Sequence, residues 1–197
     1  MPVRVARRPL QWSADEPGWI EGCRRLPSPN FNERPTAANV DTLILHYISL
    51  PPGVFRGDAV DRLFLNRLGA ALEPWAVELR DLQVSAHFLI RRRGQTTQYV
   101  STDRRAWHAG PSRLLGRERC NDFSIGIELE GDGEHAFTGS QYLELDRLTA
   151  FLRSRHKLTF VAGHSDIAPG RKFDPGPMFD WARVLSGPGF TGLRRPF

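Results

Sequence analysis

An α/β fold built on a central mixed β-sheet flanked by helices is what this sequence predicts, and three observations carry it. Val40 to Ile48 (Val-Asp-Thr-Leu-Ile-Leu-His-Tyr-Ile) is apolar on both faces, as a strand buried on both sides must be. Phe123 to Leu129 and Thr159 to Val161 are further short runs of β-branched and aromatic character. Ser140 to His156 carries Tyr142, Leu145, Leu148, Phe151 and Leu152 near helical spacing.

The other elements follow in chain order. Residues 1–18 hold Pro2, Pro9, Pro17 and several arginines without periodicity, which predicts an irregular arm before a single domain over 19–190 and a tail over 191–197. Gly22 to Pro35 reads as loop, with three prolines. Pro51-Pro52-Gly53 ends the first strand, and Asp58 is placed to cap a helix reaching about Leu68. Glu73 to Gln83 reads as a loop with a helical turn. Ser85 to Arg92 and Gln95 to Ser101 form a hairpin around Arg93-Gly94. Trp107 to Asp122 is polar and turn-rich, a long loop of the kind that often serves function. Thr138 and Gln141 have capping-box spacing before the long helix. A last helix spans about Pro177 to Leu185, with Pro177 in its first turn.

Bulk properties narrow the classes. The 197 residues, 40% hydrophobic and 25% charged, suit one soluble domain with a real core. A net charge of +5 and a pI near 9.9 invite an anionic partner. No basic run is interleaved with aromatics, so nucleic acid is not expected. Cys23 and Cys120 make neither a metal pair nor a disulfide framework and are expected reduced. Met1 to Leu10 lacks an apolar stretch and no segment could span a bilayer, so no secretion signal, no membrane partner and a cytoplasmic location are expected.

Chemistry-bearing side chains collect at or just after predicted strand ends. In the strand Phe123 to Leu129, Ile125, Ile127 and Leu129 take one face; Ser124, Gly126, Glu128 and Glu130 take the other. Two carboxylates beside a glycine are costly in a core and useful in a cleft. His46, amid Leu43, Ile44, Leu45 and Ile48, needs a hydrogen-bond partner or a metal. The stretch Gly163-His164-Ser165-Asp166-Ile167-Ala168-Pro169-Gly170-Arg171-Lys172-Phe173-Asp174-Pro175-Gly176-Pro177 presents His164, Lys172 and Asp174 on a loop stiffened by proline and glycine. Nitrogen and oxygen ligands suit zinc, whose catalytic sites use three protein ligands and one open position. By residue type alone His87 and His108 are equally good ligands; His135 and His156 read as surface residues. A salt bridge to Arg117 or Arg119 is the plain structural alternative for Glu128, and a solvated cation for Lys172.

Longer collinear segments carry a resemblance. Leu-His-Tyr-Ile-Ser-Leu-Pro-Pro-Gly (45–53), Arg-Ala-Trp-His-Ala-Gly (105–110), Gly-Arg-Glu-Arg-Cys-Asn-Asp-Phe-Ser-Ile-Gly-Ile-Glu-Leu-Glu-Gly (116–131) and the 163–177 stretch resemble the AmpD type of N-acetylmuramoyl-L-alanine amidase. That type lies within the type 2 amidase and peptidoglycan-recognition superfamily. The resemblance implies that superfamily's fold, with zinc in a cleft at the strand ends. It also implies one zinc per chain on His46, His164 and Asp174, Glu128 as general acid–base and Lys172 as stabiliser of the tetrahedral intermediate. Arg119, Tyr47, Trp107 and His108 fall where substrate is expected. Tyr47 and Gln83 depart from the asparagine and arginine expected at those positions. The implied reaction cleaves the amide between the lactyl group of 1,6-anhydro-N-acetylmuramic acid and L-alanine, in cytoplasmic cell-wall recycling, by a monomer acting on a muropeptide. A wall-cutting amidase and a non-catalytic peptidoglycan-binding module are the competing readings; the latter usually lacks a zinc ligand, and this chain has all three.

Overall fold

A computed structural model describes residues 8–69 and 74–197. Its core is a six-stranded sheet of β1 (Arg24–Arg25), β2 (Thr42–Ile48), β3 (Phe88–Ile90), β4 (Thr96–Gln98), β5 (Ser124–Glu130) and β6 (Phe160–Gly163), in the order β6-β2-β5-β3-β4-β1. Only β3 and β4 pair antiparallel, so the sheet is mixed, as expected. β2 and β5 run parallel over seven residue pairs at its centre. The α-helices among the described residues are α1 (Ala59–Phe64), α2 (Gly139–Leu152), α3 (His164–Ile167) and α4 (Trp181–Leu185).

The period of two along the strands decides which residues meet which layer. Leu43, Leu45, Ile125, Ile127, Leu129 and Val161 lie in one core with Tyr142, Leu145, Leu148 and Leu152 of α2. Ile44 and Ala162 face the opposite way, into a smaller cluster with Ala109, Leu114, Cys120 and Ile167. The side chain of Thr138 accepts from Gln141 N–H, and the Gln141 side chain accepts from Thr138 N–H, so the expected capping box forms. Gln141 also donates to the carbonyls of Ile90 and Glu130, which ties the helix start to the ends of β3 and β5.

Several boundaries differ from expectation, each for a tertiary reason. α1 stops at Phe64 because Asn66 adopts a left-handed conformation (φ 56) and exchanges side-chain hydrogen bonds with Asn30. Asp58 precedes α1 but its side chain caps nothing; it pairs with Arg62. α2 ends four residues early, where His156 turns in to Thr102 and Arg155 to Asp103. α4 begins at Trp181, capped by Asp180, so Pro177 lies outside it. The expected loop Gly22 to Pro35 contains β1 and the short strand Phe31–Asn32. The expected loop Trp107 to Asp122 contains the hairpin of Arg113–Leu114 with Arg117–Glu118 and a 3-10 turn at Cys120–Asp122. Within the arm expected to be irregular, Gln11–Trp12 pairs with Ile20–Glu21, and Trp12 stacks on Phe151. Residues 1–7, and Glu73 of the expected helical turn, lie outside the described residues. Leu193, in the expected tail, is buried in the main core, and Arg195 pairs with Asp166.

Candidate metal centre and catalytic carboxylate

The parallel register builds the site. Glu128 of β5 lies directly opposite His46 of β2, and both side chains share a face. β6 pairs with β2 up to Gly163 opposite Leu45, so His164, the next residue, comes level with His46. Gly163 is required there by packing: a Cβ would lie 2.6 Å from Pro175 Cδ. Its N–H is capped by Asp166, and Ser165 N–H donates to the carbonyl of Asp174. Those bonds fold the proline-rich loop back and bring Asp174 onto the two histidines.

His46 Nδ1 is 3.0 Å from both His164 Nδ1 and Asp174 Oδ2, and His164 Nδ1 is 3.1 Å from the same oxygen. His46, His164 and Asp174 are buried. The outward nitrogens set the tautomers. His164 Nε2 is 3.0 Å from the carbonyl of Ala109, which can only accept, so Nε2 carries the proton and Nδ1 is bare. His46 Nε2 is 3.0 Å from His108 Nδ1. With the His46 proton on Nε2, toward His108, three lone pairs converge with no donor among them, an arrangement that repels itself unless a cation sits between. Two imidazoles and a carboxylate suit zinc and leave a fourth position open.

Burial pushes the His46 imidazole down to about 4, only partly opposed by Asp174. Burial alone would raise the Asp174 carboxyl, but His164 and His46 hold it well below the usual carboxylate range. Both side chains are thus in the forms that can bind a metal at neutral pH. Glu128 behaves in the opposite way. Burial first, and Asp174 second, push its carboxyl well above the ordinary value, with Lys172 opposing. It is 8% exposed, and its Oε2 has no hydrogen-bond partner among the described residues. Neither alternative partner reaches it: Arg117 pairs with Asp41 and Arg119 with Asp122. Lys172 is half-buried on the 163–177 loop, near enough that its charge acts on both His46 and Glu128.

A scan against family models matches residues 36–177 to N-acetylmuramoyl-L-alanine amidase. The chain belongs to the N-acetylmuramoyl-L-alanine amidase family. Among curated relatives of this amidase, 1,6-anhydro-N-acetylmuramyl-L-alanine amidase AmpD of Haemophilus influenzae is 49% identical over 174 residues, covering 87% of this chain and 95% of its own. The Escherichia coli enzyme of the same name is 51% identical over 170 residues, covering 85% and 93%. A crystal structure of a selenomethionine AmpD derivative superposes with a TM-score of 0.82 at 49% identity, covering 86% of this chain and 96% of that one. The E. coli amidase AmiD, in complex with anhydro-N-acetylmuramic acid-L-Ala-D-γ-Glu-L-Lys, superposes with a TM-score of 0.55 at 28% identity, covering 79% and 65%.

The remaining candidates are spread out. The Tyr47 side chain lies on the α2 side of β2, with Gly133 and Gly176 against its ring. Burial raises its phenol, and Asp174 adds to the shift. Arg119 is exposed in a left-handed turn. The Trp107 indole N–H donates to Asn32. The half-buried His108 has both ring nitrogens engaged, with His46 and Ser124. His87 is buried, accepts from Gly126 N–H and lies 3.0 Å from the carbonyl of Arg104; the structure gives it a packing role instead of a ligand role. His156, expected on the surface, is half-buried against Thr102; His135 is exposed. Residue type alone gives Ser124 no part in the site, although a serine and a glycine on the strand face that bears Glu128 are the visible sign of something packed against it.

Proposed function

We propose that this amidase hydrolyses the amide between the lactyl group of 1,6-anhydro-N-acetylmuramic acid and the L-alanine of a stem peptide, as one zinc-dependent monomer in cytoplasmic cell-wall recycling. The carrying observation is the buried Glu128 carboxylate, its Oε2 without a hydrogen-bond partner among the described residues, set level with a cluster of three candidate ligands. The AmpD names of relatives near 50% identity over most of the chain support the substrate. Among the described residues no helix is long and apolar enough to cross a membrane.

His46, His164 and Asp174 would hold the zinc. When bound, it supplies Lewis-acid activation of the scissile carbonyl and of the attacking water. Glu128, with its raised pKa, takes the proton from water and passes it to the leaving amine of L-alanine. Lys172 places an ammonium against the oxygen on which negative charge develops. Arg119 is assigned to a carboxylate of the stem peptide, and Tyr47 and Trp107 to the cleft wall.

Product analysis by mass spectrometry on a synthetic anhydromuropeptide and on intact sacculi, with metal analysis of the purified protein, tests this. One zinc per chain and faster release of free peptide from the soluble substrate are expected. Faster release from sacculi overturns the substrate assignment.

A further inference from the structure

We propose that His108, itself held by Ser124, is a positioning residue that fixes the tautomer and orientation of His46 so that Nδ1 is bare toward the metal. The proposal rests on His46 being a ligand. A run of hydrogen bonds leads from a backbone carbonyl to that nitrogen. Ser124 Oγ–H donates to the carbonyl of Cys120 at 2.6 Å, and a carbonyl has no proton to return. The hydroxyl oxygen therefore accepts, and its partner is His108 Nε2–H at 3.3 Å. That leaves His108 Nδ1 bare, to accept from His46 Nε2–H at 3.0 Å. Of the two His46 ring nitrogens, Nδ1 is then the one without a proton, and it lies 3.0 Å from His164 Nδ1 and from Asp174 Oδ2.

The strand is shaped for this imidazole. A Cβ on Gly126 would lie 2.4 Å from His108 Cγ and 2.5 Å from Nδ1. The two rings stand edge to face, 5.1 Å between centroids at 85°. Asn121 Oδ1 accepts from the backbone N–H groups of His108 and Ala109, which places the next carbonyl, that of Ala109, on His164 Nε2. One segment, 105–124, thus sets the tautomer of both histidine ligands, one directly and one through His108. Metal-bound histidines depend on such partners for orientation and basicity.

The test compares two substitutions by competition for zinc against a chromogenic chelator, with circular dichroism of each metal-free variant. His108→Phe keeps the ring against Gly126 and loses the acceptor; zinc affinity is expected to fall by about 10–100-fold. His108→Asn puts an amide oxygen near the Nδ1 position and is expected to recover most of that loss. A packing role predicts the reverse order, because phenylalanine fills the imidazole space and asparagine does not; that order overturns the proposal. Long-range ¹H–¹⁵N spectra of the zinc-loaded native protein give a measurement free of folding effects. His108 is expected to be protonated at Nε2, and a proton on Nδ1 overturns the relay. His46→Ala in the same competition separates the two levels: if it loses zinc while His108→Phe binds normally, only the relay fails; if it binds zinc normally, the ligand assignment fails too.

Discussion

Glu128→Gln separates charge from shape at the carboxylate proposed to move the proton. The side chain is 8% exposed, and one oxygen has no partner among the described residues. Its pKa in the fold lies well above the ordinary value, chiefly through burial. A carboxyl raised in this way binds its proton more tightly folded than unfolded. Between the unfolded pKa and the folded one the native state holds more protons, so stability falls as pH rises through that window. Glutamine keeps the shape and cannot ionise. A buried group left without its partner costs about 1–3 kcal/mol. At about 2–4 °C per kcal/mol for a chain of this size, metal-free Glu128→Gln should melt about 2–12 °C above the metal-free native protein at pH 8. At pH 4 the gap should be near zero. Thermal melts by circular dichroism at several pH values measure it. Adding zinc should narrow the gap at pH 8, because a nearby cation favours the ionised carboxylate. Parallel melting of the two proteins from pH 4 to pH 8 would falsify the view that burial raises this carboxyl.

Lys172→Ala should keep its zinc and lose about 10²–10³ in kcat with a smaller change in KM, as steady-state kinetics on the anhydromuropeptide would show; loss of zinc from this variant would make Lys172 part of the metal-holding structure instead. Glu130→Ala is the contrasting case. Glu130 is buried in an ion pair with Arg91 and accepts from Arg92 N–H, so the variant should lose about 3 kcal/mol in denaturant unfolding while kcat per folded molecule stays near normal. Gly126→Ala should cost about 1–3 kcal/mol by overpacking, since His108 must leave its seat, and should weaken zinc binding as well; a variant with native stability and native zinc affinity would show that the ring can move freely.

What the sequence by itself determined is whatever depends on near neighbours in the chain. The alternation along Ser124 to Glu130 predicts that Ile125, Ile127 and Leu129 enter the core and Glu128 faces the other way, because a strand has no choice about its period. The Thr138–Gln141 cap is equally local, and it forms. The family was legible in the segments around His46, Glu128 and His164. Asp58 had the right type and spacing for a cap, but its backbone is not in cap geometry and Arg62 takes its side chain. α1 stops where Asn30, more than 30 residues away, engages Asn66. The trio itself depends on contacts across 118 and 128 positions, and the His46–His108 bond on one across 62. Residue types made His46, His87 and His108 equal candidates. Only the tertiary structure separates them, because the pairing of β2 with β5 and β6 decides which ring nitrogen meets another candidate ligand and which meets a backbone group.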